Sequence, residues 1–262
     1  MWTNKLMFDG LTRLDLPASV TVALFAAVFF ASARAAGTLD GDRIATSDGE
    51  LIIHPINHAT LVIGWKDKII CADPVGGGKR FDGLPKPDLI LVTDIHGDHL
   101  SAETLEAVAE SKTAIIAPSA VAEKLPEKLR RQTTVLANGE TKSVAGIGVQ
   151  AVPMYNLTAD RLKFHNKGRG NGYVVALGGK RVYLSGDTED TPEMRALKNI
   201  DVAFVCMNLP YTMTEEQAAS AVREFKPKIV YPYHYRGSDL EKFKKLVGDD
   251  SGVEVRLRDW YK

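Results

Sequence analysis

Positions 94 to 99 read Asp-Ile-His-Gly-Asp-His, two carboxylates and two imidazoles within six consecutive residues. These are side chains that hold divalent cations, with carboxylate oxygen and imidazole nitrogen reaching a zinc-type ion at about 2.0–2.2 Å. One ion cannot accept four adjacent side chains without contorting the backbone, whereas two ions can share them. Asp94 and His96, two apart, can face the same side of an extended segment, and Gly97 permits a turn that sends Asp98 and His99 elsewhere. Such a loop supplies about half the ligands of a two-metal site. Asp187, His234 and His165 are the donors available to complete it. The competing reading, a polar turn that only caps a helix, needs two acids and two histidines to coincide by chance. His54 is read as a hydrogen-bonded bystander.

The loop, Asp187 and His234, together with Asp73, each follow an apolar run. Asp73 comes after "KIICA", the loop after "DLILVT", Asp187 after "RVYLSG" and His234 after "KIVYPY". Loops at strand ends are where a rigid sheet presents chemistry. "ATLVIGW" and "KIICADP" flank Lys66-Asp67 and predict a hairpin. "DLILVTD" and "TAIIAP" predict buried strands separated by a helix over 102–110, with Ser101 as its N-cap and Glu103 in its first turn. "GIGVQAVPM", "GYVVALGGKRVYLSGD" and "DVAFVCMNLP" continue the strand pattern, the middle one folded at Gly178-Gly179. Thr214 and Gln217 form a capping box before a helix that places Ala218, Val222 and Phe225 on one face. "KIVYPYHY" then predicts a strand, "SDLEKFKKLV" a last helix and "VEVRLRDW" a closing strand. Strands dominate early and alternate with helices later, which predicts a sheet-rich α/β or α+β domain with helices packed outside.

The chain has 262 residues, with Lys plus Arg balancing Asp plus Glu at 33 each. No long-range field draws it to nucleic acid or anionic lipid, and nothing in the bulk composition names a partner. In the first 35 residues, Lys5 and Arg13 precede an apolar run over 18–33 that ends in Ala33-Arg34-Ala35. That pattern predicts a secretory signal cut before Ala36, with an uncleaved membrane anchor as the rival. Either places one working domain, 36–262, outside the cytoplasm, periplasmic or extracellular. Cys71 and Cys206 each sit in an apolar run and are expected as buried hydrophobes, not a bridge.

Together these residues resemble the metallo-β-lactamase superfamily from about residue 51 onward. The superfamily loop H-x-H-x-D-H stands here as Asp94-Ile-His96-Gly-Asp98-His99, with the first histidine replaced. "INHATLVIGWKDKIICADPV" is similar to the opening hairpin that ends in a structural aspartate, here Asp73. "YLSGDT" resembles the segment with the bridging aspartate, and "YPYHY" the last ligand segment. The finer resemblance is to the metal-dependent hydrolase branch that includes ascorbate-6-phosphate lactonase. Relatives there show "YN…FHPKG…GY…YHAGDT", against "YNLTADRLKFHNKGRGNGYVVALGGKRVYLSGDT" here, and "YTMT" before a helix, here Tyr211 to Thr214.

The resemblance implies an α/β fold, a four-layer αββα sandwich, with two divalent ions at one edge. It assigns Asp94, His96 and a third ligand, His165 or Asn156, to the first ion. The second takes Asp98, His99 and His234, with Asp187 bridging. The implied reaction is hydrolysis by a metal-bound hydroxide that Asp98 orients, on a lactone or other carboxylic ester. His58, Tyr211 and Tyr235 are expected to touch substrate or support a ligand, as is Asn156 if it is not one itself. Asp94 exchanges neutral nitrogen for a harder, anionic oxygen, which shifts preference from zinc toward manganese or iron and leaves a one-ion centre open. A phosphodiesterase of the same fold, or an exported metal- or ligand-binding protein without activity, are the alternatives.

Overall fold

The computed structural model describes residues 39–261, so the predicted signal or anchor over 1–35 lies outside the described residues. Two seven-stranded sheets form, each with its strands side by side in chain order. The first contains β1 (Asp42–Thr46), β2 (Gly49–Asn57), β3 (Thr60–Trp65), β4 (Lys68–Ala72), β5 (Leu89–Leu91), β6 (Ala114–Ala117) and β7 (Thr133–Val135). The second contains β8 (Thr141–Val144), β9 (Ile147–Met154), β10 (Gly170–Leu177), β11 (Lys180–Leu184), β12 (Val202–Cys206), β13 (Ile229–Tyr233) and β14 (Glu254–Val255).

Tight turns such as Lys66-Asp67 and Gly178-Gly179 join most antiparallel neighbours, from β1 to β4 and from β8 to β11, whereas β9 and β10 are joined by the long segment over 155–169. Beyond them both sheets turn parallel, from β4 to β7 and from β11 to β14. A parallel neighbour needs a crossover, for which a helix is the usual solution. These crossovers carry α1 (Ala102–Val108), α2 (Ser119–Ala122), α3 (Glu127–Arg130), α4 (Pro192–Arg195), α5 (Glu215–Phe225) and α6 (Leu240–Val247).

The period-two pattern of the strands sorts side chains into layers. Leu51, Ile53, Leu61, Ile63 and Ile70 of the first sheet share a core with Val149, Ala151, Tyr173 and Val175 of the second. Their neighbours Ile52, Val62, Ile69 and Cys71 point the other way and pack with Leu105 and Val108 of α1. Ala218, Val222 and Phe225 of α5, with Phe243 and Val247 of α6, join the large core from the second sheet's side. The αββα layering is therefore present. Both cysteines are buried and unbridged. The sheets meet by hydrogen bonds near the end of β5, where Tyr173 Oη donates to the Val92 carbonyl at 2.8 Å and the Asn171 amide to the Thr93 carbonyl at 2.9 Å.

Local differences from expectation have local causes. The helix over 102–110 stops at Val108, because the Glu110 amide donates to Thr113 Oγ1 and leaves the helical ladder. The closing strand pairs only at Glu254 and Val255, and the segment after Arg256 runs on without a partner strand. β1, β7 and β8 carry no buried run and escape the apolar pattern. Gly97 does not adopt a left-handed backbone. The turn is closed instead by amides of His99 and Leu100 donating to the His96 carbonyl, at 3.0 and 2.8 Å. Of the non-glycine residues with left-handed backbone, Lys66, Ala145, Asn199 and Lys226 lie in turns or at a helix end, and His58, Asp73 and His234 lie at one edge of the sandwich, at φ 55°, 44° and 48°. Such non-glycine conformations cost energy and gather at functional sites.

Candidate metal centre

The donors gather at one edge of the sandwich, all but His165 from strand ends or the turn between two strands, and His165 from the β9–β10 connection. Asp73 follows β4, residues 93–99 follow β5, Asp187 follows β11 and His234 follows β13, while His58 sits in the β2–β3 turn. Carboxyl ends of parallel strands are the usual place for ligands in α/β sheets. Two clusters result. Asp98, His99, Asp187 and His234 form one, and Asp94, His96 and His165 the other, with donor atoms within 4.8 Å of one another in each.

In the first of these clusters, Asp187 lies at the centre. Its Oδ2 is 3.2 Å from His99 Nε2 and 3.4 Å from His165 Nε2, and its Oδ1 is 3.3 Å from His234 Nε2. His234 Nε2 is also 3.3 Å from Asp98 Oδ2. His99 is aimed from behind: its Nδ1 lies 2.8 Å from Asp73 Oδ2, and Asp73 accepts from the Thr93 amide and hydroxyl at 2.8 and 2.6 Å. A carboxylate that takes the Nδ1 proton leaves the Nε2 lone pair facing the cluster, an arrangement common behind metal-binding histidines. Asn156 does the same for His165. Its Nδ2 donates to the Tyr211 carbonyl at 2.8 Å, so Oδ1 faces His165 Nδ1 at 2.7 Å and Nε2 is left as an acceptor. His165 is therefore the nitrogen that faces the carboxylates, and Asn156 stands behind it.

These atoms suit a divalent cation. His99 Nε2, His165 Nε2 and Asp187 Oδ1 are buried without a hydrogen-bond partner, an arrangement that is costly unless something positive is shared among them. Mixed imidazole and carboxylate donors are what zinc, manganese and iron accept. Burial pushes the Asp187 carboxyl up, but His234 and His99 outweigh it and hold it well below the usual carboxylate range. Partial burial acts likewise on Asp98, where hydrogen bonds from His234 and His58 prevail. Burial works against a charged His99, yet Asp187 and Asp73 carry it well above its ordinary value.

The second cluster has a different neighbour. Arg169, at the threshold of β10, donates from Nε to Asp94 Oδ1 at 3.0 Å and from Nη2 to Asp94 Oδ2 at 2.8 Å. His96 Nδ1 lies 2.9 Å from Asp94 Oδ2, and its Nε2 is 3.5 Å from Arg169 Nη2. His165 Nε2 stays 3.9 Å from Asp94 Oδ2.

His58, expected near substrate or a ligand, lies against two members of the first cluster. Its Nε2 is 3.2 Å from Asp98 Oδ2, and its ring lies against that of His234, tilted by 33° with centroids 3.6 Å apart. Burial lowers the His58 pKa despite Asp98. Tyr211 is exposed, touching the site through its backbone and packing edge-on to Phe164. Tyr235 reaches no ligand: its hydroxyl donates to the Arg258 carbonyl and accepts from the Trp260 amide, tethering the C-terminal segment. Tyr233 Oη accepts from the Gly186 amide at 2.9 Å and steadies the turn before Asp187. His54 bonds the Asp40 carbonyl, outside the cluster. Sequence reading missed Arg169, Tyr261 and Thr93. The replaced histidine at position 94 was the one signal that could have prompted a search for a cation to match it.

Residues 53–234 match the beta-lactamase superfamily domain family. The chain belongs to the metallo-β-lactamase superfamily. Among its relatives, a UPF0173 metal-dependent hydrolase of Pyrococcus abyssi is 33% identical over 213 residues, covering 76% of this chain and 93% of that protein. One from Thermococcus kodakarensis is 32% identical over 212 residues with the same coverage. A crystal structure of a Parabacteroides distasonis protein, assigned as a metal-dependent hydrolase, superposes with TM-score 0.78 at 43% identity, over 85% of this chain and 99% of that one. Igni18, a metallo hydrolase from Ignicoccus hospitalis, shares the fold with TM-score 0.67 at 21% identity, over 81% and 96% of the two chains.

Proposed function

We propose that this protein hydrolyses a lactone or another carboxylic ester of a small molecule at the cluster of Asp98, His99, Asp187 and His234. The class, a metal-dependent hydrolase of the metallo-β-lactamase superfamily, is that of its relatives; the bond cut is the content of the proposal. The observation that carries it is the convergence of two carboxylates and two imidazoles from three separate strand ends. A divalent cation held there supplies Lewis acidity and brings the pKa of a water toward neutrality. Asp98 is the exposed member of the four, its side chain 46% accessible where the others are nearly closed off. It is the carboxylate placed to orient a water against substrate, held from two sides by His58 and His234.

The surroundings support a small substrate with an apolar part. Leu157 and Leu162 are exposed on the segment leading to His165, and Leu209 and Tyr211 on the segment to which Asn156 is bonded. A formal net charge of zero offers no field for a polyanion. Phosphodiester hydrolysis is the second reading, favoured by the Arg169 guanidinium, whose Nη1 is not taken up by Asp94 and can donate to a phosphate oxygen. The exported location belongs to the same proposal: a mature chain starting at Ala36 supports it, and an intact chain retained in the cytoplasm removes it.

The experiment is a panel of sugar and aliphatic lactones, nitrophenyl esters and bis-nitrophenyl phosphate, run with manganese- or zinc-loaded protein and again after chelation. Turnover of lactones or esters that chelation abolishes is expected. Turnover of the phosphodiester alone, or of nothing, overturns the proposal.

A further inference from the structure

We infer that Arg169 takes the place of a second metal ion: the protein holds one divalent cation, among Asp98, His99, Asp187 and His234, and the guanidinium is the fixed positive charge beside it. The inference rests on the cation-dependent reading above and does not depend on which bond is cut.

The cluster of Asp94, His96 and His165 has the right residue types, but its atoms are committed elsewhere. Asp94 is fully buried and gives one oxygen to Arg169 Nε and the other to Nη2, the two-pronged match of guanidinium and carboxylate. His96 is engaged at both ring nitrogens. Nδ1 faces Asp94 Oδ2 at 2.9 Å and Nε2 faces Arg169 Nη2 at 3.5 Å, so the proton is placed on Nδ1 and the lone pair meets a cationic N–H. Only His165 Nε2 is left without a partner. A divalent ion entering here has to break the fork and lie against a guanidinium whose charge repels it.

The two unusual residues explain each other. A histidine at position 94 would leave the part-buried Arg169 facing a neutral ring, whereas a carboxylate gives it a partner. Arg169 is also anchored through its backbone, its amide donating to the Asn166 carbonyl at 3.2 Å just before β10 begins. Among the described residues nothing accepts from its Nη1, and the side chain keeps 18% of its surface accessible. Nη1 is thus free to donate to a substrate oxygen that develops negative charge, the role the missing ion would otherwise fill.

The test is cation stoichiometry, read by elemental analysis of protein saturated with manganese and desalted, with electron paramagnetic resonance of the bound ion alongside. The wild-type chain is expected to hold one equivalent, giving the signal of an isolated ion. The double variant Asp94→His with Arg169→Ala removes the buried charges together, restores a histidine, and is expected to hold two equivalents with a coupled signal. Two equivalents in the wild type, or none, overturn the inference whatever the variant does. A folded double variant that stays at one also overturns it, because Arg169 would then not be what excludes the second ion. One equivalent in a wild type that turns over no lactone or ester leaves this inference standing and removes the proposed substrate class. Two equivalents with ester turnover do the reverse.

Discussion

The Tyr261 hydroxyl lies 2.6 Å from His58 Nδ1, and His58 Nε2 lies 3.2 Å from Asp98 Oδ2. The segment after β14 is thereby linked through His58 to the Asp94–His99 loop. Trp260, fully buried beside Phe204 and Tyr233, pins that end, and its carbonyl accepts from the His58 amide at 3.1 Å. The His58 carbonyl in turn accepts from the His234 amide. If this relay sets the angle of Asp98, Tyr261→Phe lowers kcat/KM by about 10-fold while leaving the fold intact. Steady-state kinetics with circular dichroism as the control decides it; an unchanged kcat/KM would mean that the hydroxyl does not position His58.

Asp73 is buried behind His99, and it is the group that fixes the His99 tautomer. Asp73→Asn keeps the size but loses the acceptor charge behind Nδ1. Cation affinity is expected to fall by about 10–100-fold, measured by competition with a chromophoric chelator. Affinity equal to wild type would remove Asp73 from the support of the centre.

Acid and alkali act on the chelated chain in opposite ways. Asp187 is held below its ordinary 3.8 by His234 and His99 against the push of burial, so its contribution is present above 3.8 and lost as pH falls through the depressed value. His99 is held above its ordinary 6.5 by Asp187 and Asp73, again against burial, so its contribution is full below 6.5 and lost as pH rises through the raised value. The chelated protein is therefore expected to have its highest Tm between those ordinary values and to decline on the alkaline side. Cation binding replaces the His99 proton, so the loaded protein should not show that alkaline decline and binding should release protons. Thermal scans against pH, with and without chelator, make the comparison. Superimposable profiles would sink the account.

Gly186 precedes the central carboxylate at φ 61°, and a β-carbon there would stand 2.4 Å from Met154 Sδ. Gly186→Ala is expected to destabilise the protein by about 1–3 kcal/mol and to shift Asp187. Denaturant unfolding measures the first effect and cation affinity the second. A variant as stable as wild type would show that the turn has room to relax.

Much of the layered fold is written in the period of the apolar residues. The alternation in "LIIHPI" and "TLVIGW" sends Ile53 and Ile63 to one core and Ile52 and Val62 to the other. The Thr214–Gln217 capping box and the Ser101 N-cap are equally local and form as expected. Strands without buried runs, such as Thr141–Val144, leave no such mark because their partners, not their own side chains, make them strands.

The sequence by itself determined the kinds of donor, their placement after strands and hence the edge of the sheets at which they gather. It could not determine which donor meets which neighbour. Asp94 and Arg169 are 75 positions apart, and Tyr261 and His58 are 203 apart. Periodicity reports which face of an element is buried, but a hydrogen bond or an ion pair depends on distances of a few tenths of an ångström between loops carried by different strands. Only the packed structure brings those loops to a definite separation, and so only it reveals that one carboxylate of the metal-seeking loop already has a guanidinium for a partner.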